Sequence, residues 1–223
     1  MNILPPVEPD EHLQAQGVYQ QSRQGRATAL REYWSVHDLQ DGTTIWRSHL
    51  LAEAEVPLSA CYMLRNPLGA PMQLGFYWRW PDSRDDYIEY RFMPDHLVVF
   101  YRRQMQTMIL PTGCEVYGWH TLTEHALWAG YDRARGGIQE IALLAPGIHR
   151  GTLWPGVLHV HLTPAGSQII AGLNGPQAGR RFMVDMPDVG SQQLYFDQFG
   201  VPLRWIKMDE HVTVDLVEYA RFA

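Results

Sequence analysis

The chain has 223 residues, 46% hydrophobic and 19% charged, with 24 acidic side chains against 18 basic ones. That apolar share excludes a disordered chain, and the acidic balance argues against nucleic acid or anionic membrane surfaces, whose binders carry a basic excess or stripe. One β domain can run to about 200–250 residues, so an N-terminal arm over 1–13 and a single domain over 14–223 are expected.

Pro5, Pro6 and Pro9 stand among acids in the arm, where they remove backbone donors and fix φ, so the segment reads as a lead-in that drapes over the domain rather than an element. It has neither the basic start nor the apolar stretch of a secretory signal, and no uncharged apolar run approaches the ~18 residues of a membrane helix. A cytoplasmic protein is the expectation. Cys61 and Cys114 could pair, but two separate thiols of a reducing compartment are the more economical reading.

Short strands then follow one another. Gln16 to Gln24 and Thr28 to Leu39 come first; Asp41-Gly42 predicts a type I′ hairpin into Thr43 to Glu53; Leu58 to Arg65 ends at Asn66-Pro67. Met72, Leu74, Phe76, Trp78 and Trp80 alternate with Gln73, Gly75, Tyr77 and Arg79, a period of two that predicts an apolar row facing inward and the other row facing out or toward the rim. Tyr87 to Met93 and His96 to Leu110 complete a meander. Between Pro111 and Arg135 the rhythm breaks, and Leu122, Ala126 and Leu127 fall at helical spacing; one short helix is expected there, capped by Thr121 or Thr123 with Glu124 in its first turn. Strands resume over Ile138 to Leu144, Leu153 to Leu162, Gln168 to Leu173, Arg180 to Met186, Gln192 to Phe199, Pro202 to Met208 and Val212 to Tyr219, each bounded by Gly, Pro, Asn or Asp. The fold class is therefore all-β: a single antiparallel, strongly curled sheet or incomplete barrel of about a dozen strands with one short helix.

Chemistry is sparse. No nucleophile elbow, phosphate loop, dinucleotide fingerprint or Cys-x-x-Cys pair is present, so no catalytic residue is assigned and no cofactor is expected. His159 and His161 project to one strand face and could hold a metal ion in the manner of cupins, which Gly156 followed by the two histidines resembles. The carboxylate such a site expects is replaced by Thr163 and Pro164, leaving a third ligand to His149, His49, His37 or a distant acid. His120 and His125, with Glu124 between, could supply an acid or base, against a plain helix-surface reading. The acid pairs Glu53 with Glu55, Asp85 with Asp86 and Asp185 with Asp188 read as solvated turn residues. Aromatics are the strongest bias, at 12% with eight tryptophans; they favour sheets, and they also line apolar ligand sites. Trp34, Trp46, Phe76, Trp78, Trp80 and Phe100 are the candidate ligand-binding residues.

Tyr195 to Trp205, with Asp197, Gly200 and Pro202 in its turn, followed by Thr213 to Tyr219, reads as a closing hairpin. It resembles the ending of uncharacterised bacterial domains related to the lipoprotein-carrier half-barrels and to the proposed glycolipid-binding proteins. The resemblance implies a sheet curled round an apolar face, sometimes plugged by a short helix, and no catalytic residues. The expected function is non-enzymatic binding of a hydrophobic lipid-like or glycolipid-like ligand, the partner being an apolar small molecule, with a homodimer left open. A metal-dependent enzyme using His159 and His161, and a structural or protein-interaction domain, are the alternatives.

Overall fold

The computed structural model describes residues 4–52, 57–172, 175–187 and 189–222. Its strands are β1 (His12–Arg23), β2 (Arg26–Asp38), β3 (Thr44–Leu51), β4 (Pro57–Arg65), β5 (Pro71–Arg79), β6 (Asp85–Phe92), β7 (Leu97–Tyr101), β8 (Gln104–Met108), β9 (Glu115–Val116), β10 (Gln139–Pro146), β11 (Pro155–Gly172), β12 (Gly175–Met186), β13 (Gly190–Phe196), β14 (Pro202–Lys207) and β15 (Val212–Arg221). All fifteen form one sheet: from β8 at one edge the order runs back to β1, β1 pairs with β15, and the order then descends to β9 at the other edge. Every pairing is antiparallel except β9 with β10, so the sheet is mixed.

The edges are not hydrogen-bonded to each other, yet the sheet curls until they nearly meet. Val116 packs in one cluster with Leu74, Phe76 and Tyr90, the Tyr90 hydroxyl donates to the Leu153 carbonyl at 3.1 Å, and Arg65 reaches Glu115 at 3.1 Å. The result is an incomplete barrel closed by side chains.

Period-two alternation decides which face is inside. Leu74, Phe76 and Trp80 are buried on the inner face of β5 and Trp78 is half-buried there, while Gln73 and Arg79 face out; Met72, at the strand's start, is 43% exposed. Tyr77 is outward yet buried, its hydroxyl donating to Asp85 at 2.8 Å. Burying each large apolar side chain is worth ~1.5–3 kcal/mol, enough to hold this register against a one-residue slip.

The turns explain where strand boundaries depart from the expected ones. Leu39 to Thr43, Asn66 to Ala70, Trp80 to Arg84 and Asp197 to Val201 share one geometry: the first N–H donates to the fifth carbonyl, the fourth N–H to the first carbonyl, and the fourth residue has positive φ. That is a type I turn with a left-handed fourth residue, so Asp41-Gly42 does not form the predicted type I′ turn. The pairs with consecutive positive φ among the described residues are Gln24-Gly25, Arg102-Arg103 and Gly136-Gly137, of which the first two are hairpin turns. Arg102-Arg103 divides the expected His96–Leu110 strand into β7 and β8; two arginines carry no turn signal, and here the Arg102 guanidinium is held by Asp86. Conversely, β11 runs through Pro164 and Gly166 with its register shift between Pro164 and Ser167, merging two expected strands.

The arm lies on the outer face. Arg47 donates to the Pro5 and Pro6 carbonyls and to both oxygens of Glu11 at 2.6 and 2.7 Å. Inside, the segment from β9 to Gly130 crosses the lumen as a 3-10 turn, Thr121–Glu124, followed by α1 (His125–Gly130). The helix is where the sequence places it, but its N-cap is Glu124; Thr123 instead folds back, its hydroxyl donating to the His120 carbonyl at 2.6 Å and accepting from Gly118 N–H.

Phe76→Ala should cost ~3–5 kcal/mol because its fully buried ring leaves a cavity between strands, whereas Gln73→Ala on the opposite face should cost under ~1 kcal/mol; denaturant midpoints of the two variants check this.

Candidate functional site

The lumen holds a polar network between sheet and plug. Glu32 on β2 is only 4% exposed, yet its carboxyl group is fully used: Oε1 accepts from Ser48 Oγ at 2.8 Å and Leu122 N–H at 3.0 Å, and Oε2 from Thr121 N–H at 2.7 Å. Because Ser48 donates its proton to Glu32, its oxygen accepts from His120 Nδ1–H at 2.7 Å; His120 Nε2 is then bare and accepts from Ser59 Oγ–H at 3.0 Å. Burial lowers the His120 pKa below the usual imidazole range, consistent with this neutral tautomer.

Glu124 is the other buried acid. Oε1 accepts from the Tyr117 hydroxyl at 2.6 Å, while Oε2 is buried with no hydrogen-bond partner among the described residues. Burial pushes its pKa up to about 8. The buried Tyr19 hydroxyl also has no partner, and burial followed by the field of Glu32 raises it well above the usual phenol range. His125 donates Nδ1–H to the Gly200 carbonyl at 3.0 Å and lies 4.8 Å from the Trp46 ring; burial lowers its pKa to about 4. His120 and Glu124 are thus buried interior groups and His125 is half-buried, so the helix-surface reading is corrected: Leu122, Thr123 and Glu124 of the turn are all buried.

Two cavities flank this plug toward opposite ends of β1, β2, β14 and β15. One, of about 240 Å³, is walled by Trp34, Val36, Trp46, Leu122, Val201 and Tyr219, with Asp38 and Arg221 at its rim. The other, of about 260 Å³, is lined by Tyr19, Glu32, Tyr117, Trp119, Glu124 and Trp205, with Lys207 and Glu210 also contributing. An open groove of about 690 Å³ also runs on the outer face between the arm and β1 to β3.

Of the aromatics singled out from sequence, Trp34 and Trp46 line the first cavity. Phe76, Trp78 and Trp80 face inward but pack in succession, Phe76 stacked on Trp78 at 6.1 Å and Trp78 edge to face with Trp80 at 6.3 Å, and line neither interior cavity. Phe100 belongs to the outer row with Val98, since Leu97 and Val99 point in, and it lies under the Arg91 guanidinium at 4.8 Å; it does not face the lumen.

His159 and His161 do share a face of β11, on the outside, each 55% exposed, and Glu140 of the neighbouring strand sits 2.8 Å from the first and 3.6 Å from the second. His37 and His49 cannot join them, because five strands separate β2 from β11 in the sheet order. The His149 side chain lies outside those described. Among the described residues no group of three or more His, Cys, Asp or Glu is arranged to hold a metal ion. Asp86 is not a solvated turn acid: it is buried and accepts from Trp80 Nε1 at 2.8 Å and from Arg102, and although burial raises its pKa, these bonds outweigh it and hold the carboxyl below its usual range. Asp85 fits its turn, bonded to Arg79 and Tyr77. Glu53, Glu55 and Asp188 lie outside the described residues. Cys61 and Cys114 are free, and burial raises both thiols, Cys114 to about 11, which suits neither to nucleophilic attack.

The fold and lumen define a β-barrel-like domain. No family model and no curated protein matches the chain. Solved structures do: a β-barrel-like protein of a domain of unknown function, DUF1849, from Brucella abortus superposes with a TM-score of 0.60 at 10% identity, over 95% of this chain and 98% of that one. The hypothetical lipoprotein YmcC from Escherichia coli aligns over 94% and 88% at 7% identity, with a TM-score of 0.31. At these identities the likeness to the Brucella protein is one of fold alone. Among the described residues no helix is long and apolar enough to cross a membrane.

The Glu124 carboxyl generates a pH prediction. Its folded pKa is raised from an ordinary carboxyl value to about 8, so its contribution to stability is complete below the unfolded value and is lost as pH rises through the folded one. Between roughly pH 4.5 and 8 the wild type should therefore lose stability relative to Glu124→Gln, by up to a few kcal/mol at ~1.4 kcal/mol per unit; denaturant midpoints of both proteins across that range measure it.

Proposed function

We propose that the protein is a non-enzymatic binding domain for a small apolar molecule, held in the cavity between the plug and the closing hairpin. The supporting observation is the composition of that wall: Trp34, Val36, Trp46, Leu122 and Val201 make it mainly apolar, and Gln14, Asp38, His125 and Arg221 add a few polar groups. Apolar walls with a few polar groups at the edge are the ordinary make-up of small-molecule sites. A volume of about 240 Å³ equals about eight water volumes of ~30 Å³ each, so the site suits one ring system or a short acyl chain. A longer lipid would enter by one end only.

A metal-dependent enzyme through His159 and His161 has less behind it, because Glu140 already engages both rings on an open outer face. Metal analysis of untagged protein tests that alternative.

Displacement of a fluorescent fatty-acid analogue by straight-chain alcohols tests the main reading. Affinity should climb about fourfold per methylene at ~0.8 kcal/mol each and level off once the chain outgrows the cavity. Val201→Trp, which fills the cavity from the rim, should abolish binding. Absence of binding by every chain length would leave a structural or protein-interaction domain as the function.

A further inference from the structure

The plug side of the apolar cavity carries a polar atom that a purely apolar ligand would leave idle. His125, the first residue of α1, lines this cavity together with Leu122 of the same plug. Its Nδ1 lies 3.0 Å from the Gly200 carbonyl, which can only accept, so Nδ1 carries the hydrogen. A neutral imidazole has one N–H, and fixing it on Nδ1 leaves Nε2 as a bare lone pair. Nε2 has no hydrogen-bond partner among the described residues, yet it keeps accessible surface, unlike the buried and unpartnered Glu124 Oε2 and Tyr19 hydroxyl. His125 lines neither the other interior cavity nor the outer groove, so a ligand meets this nitrogen in the apolar cavity.

The surroundings hold that tautomer in place. Gly200 is fixed in its turn by a positive φ and by the Trp128 ring, which leaves no room for a Cβ there, so its carbonyl stays aimed at Nδ1. The Arg65 guanidinium sits over the Trp46 ring at 5.6 Å, and that ring in turn lies 4.8 Å from His125. A second proton on the imidazole would add positive charge to a corner that Arg65 already occupies. Burial, reinforced by Arg65 and Arg133 and opposed by the Gly200 bond, keeps the ring neutral at ordinary pH. Nε2 therefore accepts and does not donate.

The tryptophan N–H groups of the wall are not on offer to a ligand. Trp46 donates Nε1–H to the Thr44 hydroxyl at 3.2 Å, and Trp34 Nε1 is buried. The Gln14 amide has both a donor and an acceptor and selects neither. A molecule that reaches the plug thus meets an acceptor. A hydroxyl serves it, a methyl or fluorine substituent does not, and a carboxylate would set lone pair against lone pair. Trp34, Trp46 and Tyr219 add ring surface, which favours an aromatic body through offset or edge-on contact.

We infer that the cavity is a site for a small neutral phenol, whose O–H donates to His125 Nε2 while its ring packs among Trp34, Trp46 and Tyr219. The inference rests on the reading of this cavity as a ligand site and names the class of molecule it selects. The selecting device is the Gly200 carbonyl: by taking the imidazole's single proton it turns His125 into an acceptor, and the site distinguishes donors from acceptors of the same shape. One aromatic ring with a small substituent fits a volume of about 240 Å³.

4-Methylphenol and 4-fluorotoluene, close in shape and different in one donor, provide the test by titration calorimetry on the full chain at neutral pH. His125→Phe, which keeps a ring and removes both nitrogens, should cost the phenol roughly tenfold in affinity, the upper end for one neutral hydrogen bond, and should change 4-fluorotoluene little. His125→Asn, which keeps a donor for the Gly200 carbonyl and lacks the outer nitrogen, serves as the second variant should the first not fold. It should lower the affinity of the phenol relative to 4-fluorotoluene by a similar factor. Binding of 4-fluorotoluene that Val201→Trp abolishes, together with a ratio of the two affinities that is the same in the wild type and the His125 variants, would overturn the inference and leave the apolar cavity standing. Binding of neither compound would overturn both readings.

Discussion

The carboxyl group of Glu32, buried on the inner face of β2, takes three hydrogen bonds at once: the two N–H groups that open the 3-10 turn and the Ser48 hydroxyl. Those N–H groups are donors that a short helical turn cannot satisfy internally. Without Glu32 they would be buried and unpaired, and the serine–histidine–serine chain behind it would lose its terminal acceptor. The plug is thereby fixed to β2, β3 and β4 by directional bonds, while α1 is held from the other side by packing of Leu127 and Trp128 against Phe182 and Phe196. The positions of both interior cavities follow, since each is the space left between this fixed segment and one end of the curled sheet.

Much of the architecture was readable in the residues because it rests on local rules. Alternation on β5 set its inward row, and the turn residues Asn66, Asp82 and Asp197 each accept backbone N–H groups from one or more of the following residues, which is why strand ends were found. The failures are also physical. Arg102-Arg103 turns the chain with no glycine because Asp86 and the Tyr101 ring hold the guanidinium on the far side of the turn. Pro164 sits inside a strand at a point where the pairing slips. β9 has two residues and pairs in parallel through contacts that only the closed lumen brings together.

The interior chemistry was only half legible. His120, Glu124 and His125 were visible as a group, but their burial was not, because helical spacing of Leu122, Ala126 and Leu127 identifies one packed face, whereas Thr123, Glu124 and Trp128 are buried as well. Glu32 falls within the expected Thr28–Leu39 strand with nothing nearby to mark it; its partners lie 16 to 90 residues away in the chain. Gln192 is hidden for the same reason, its partner Trp205 lying 13 residues on. The aromatic bias pointed to the lumen but could not separate rings that stack on one another, such as Phe76 and Trp78, from rings that border space, such as Trp34 and Trp46.

The strand order has a topological consequence. Its two edges, β8 and β9, are consecutive in the chain, and its central pairing joins β1 to β15, where Phe222 N–H donates to the Gln14 carbonyl. The sheet is therefore a simple meander whose sequence has been cyclically shifted: read from β9 through β15 and on from β1 to β8, every strand pairs with its neighbour in order. A circularly permuted chain, opened in the exposed stretch around Thr112-Gly113 and joined across β15 and β1, would build every pairing except the parallel β9–β10 one by successive antiparallel hairpins, and the one pairing that now spans nearly the full chain length would become local.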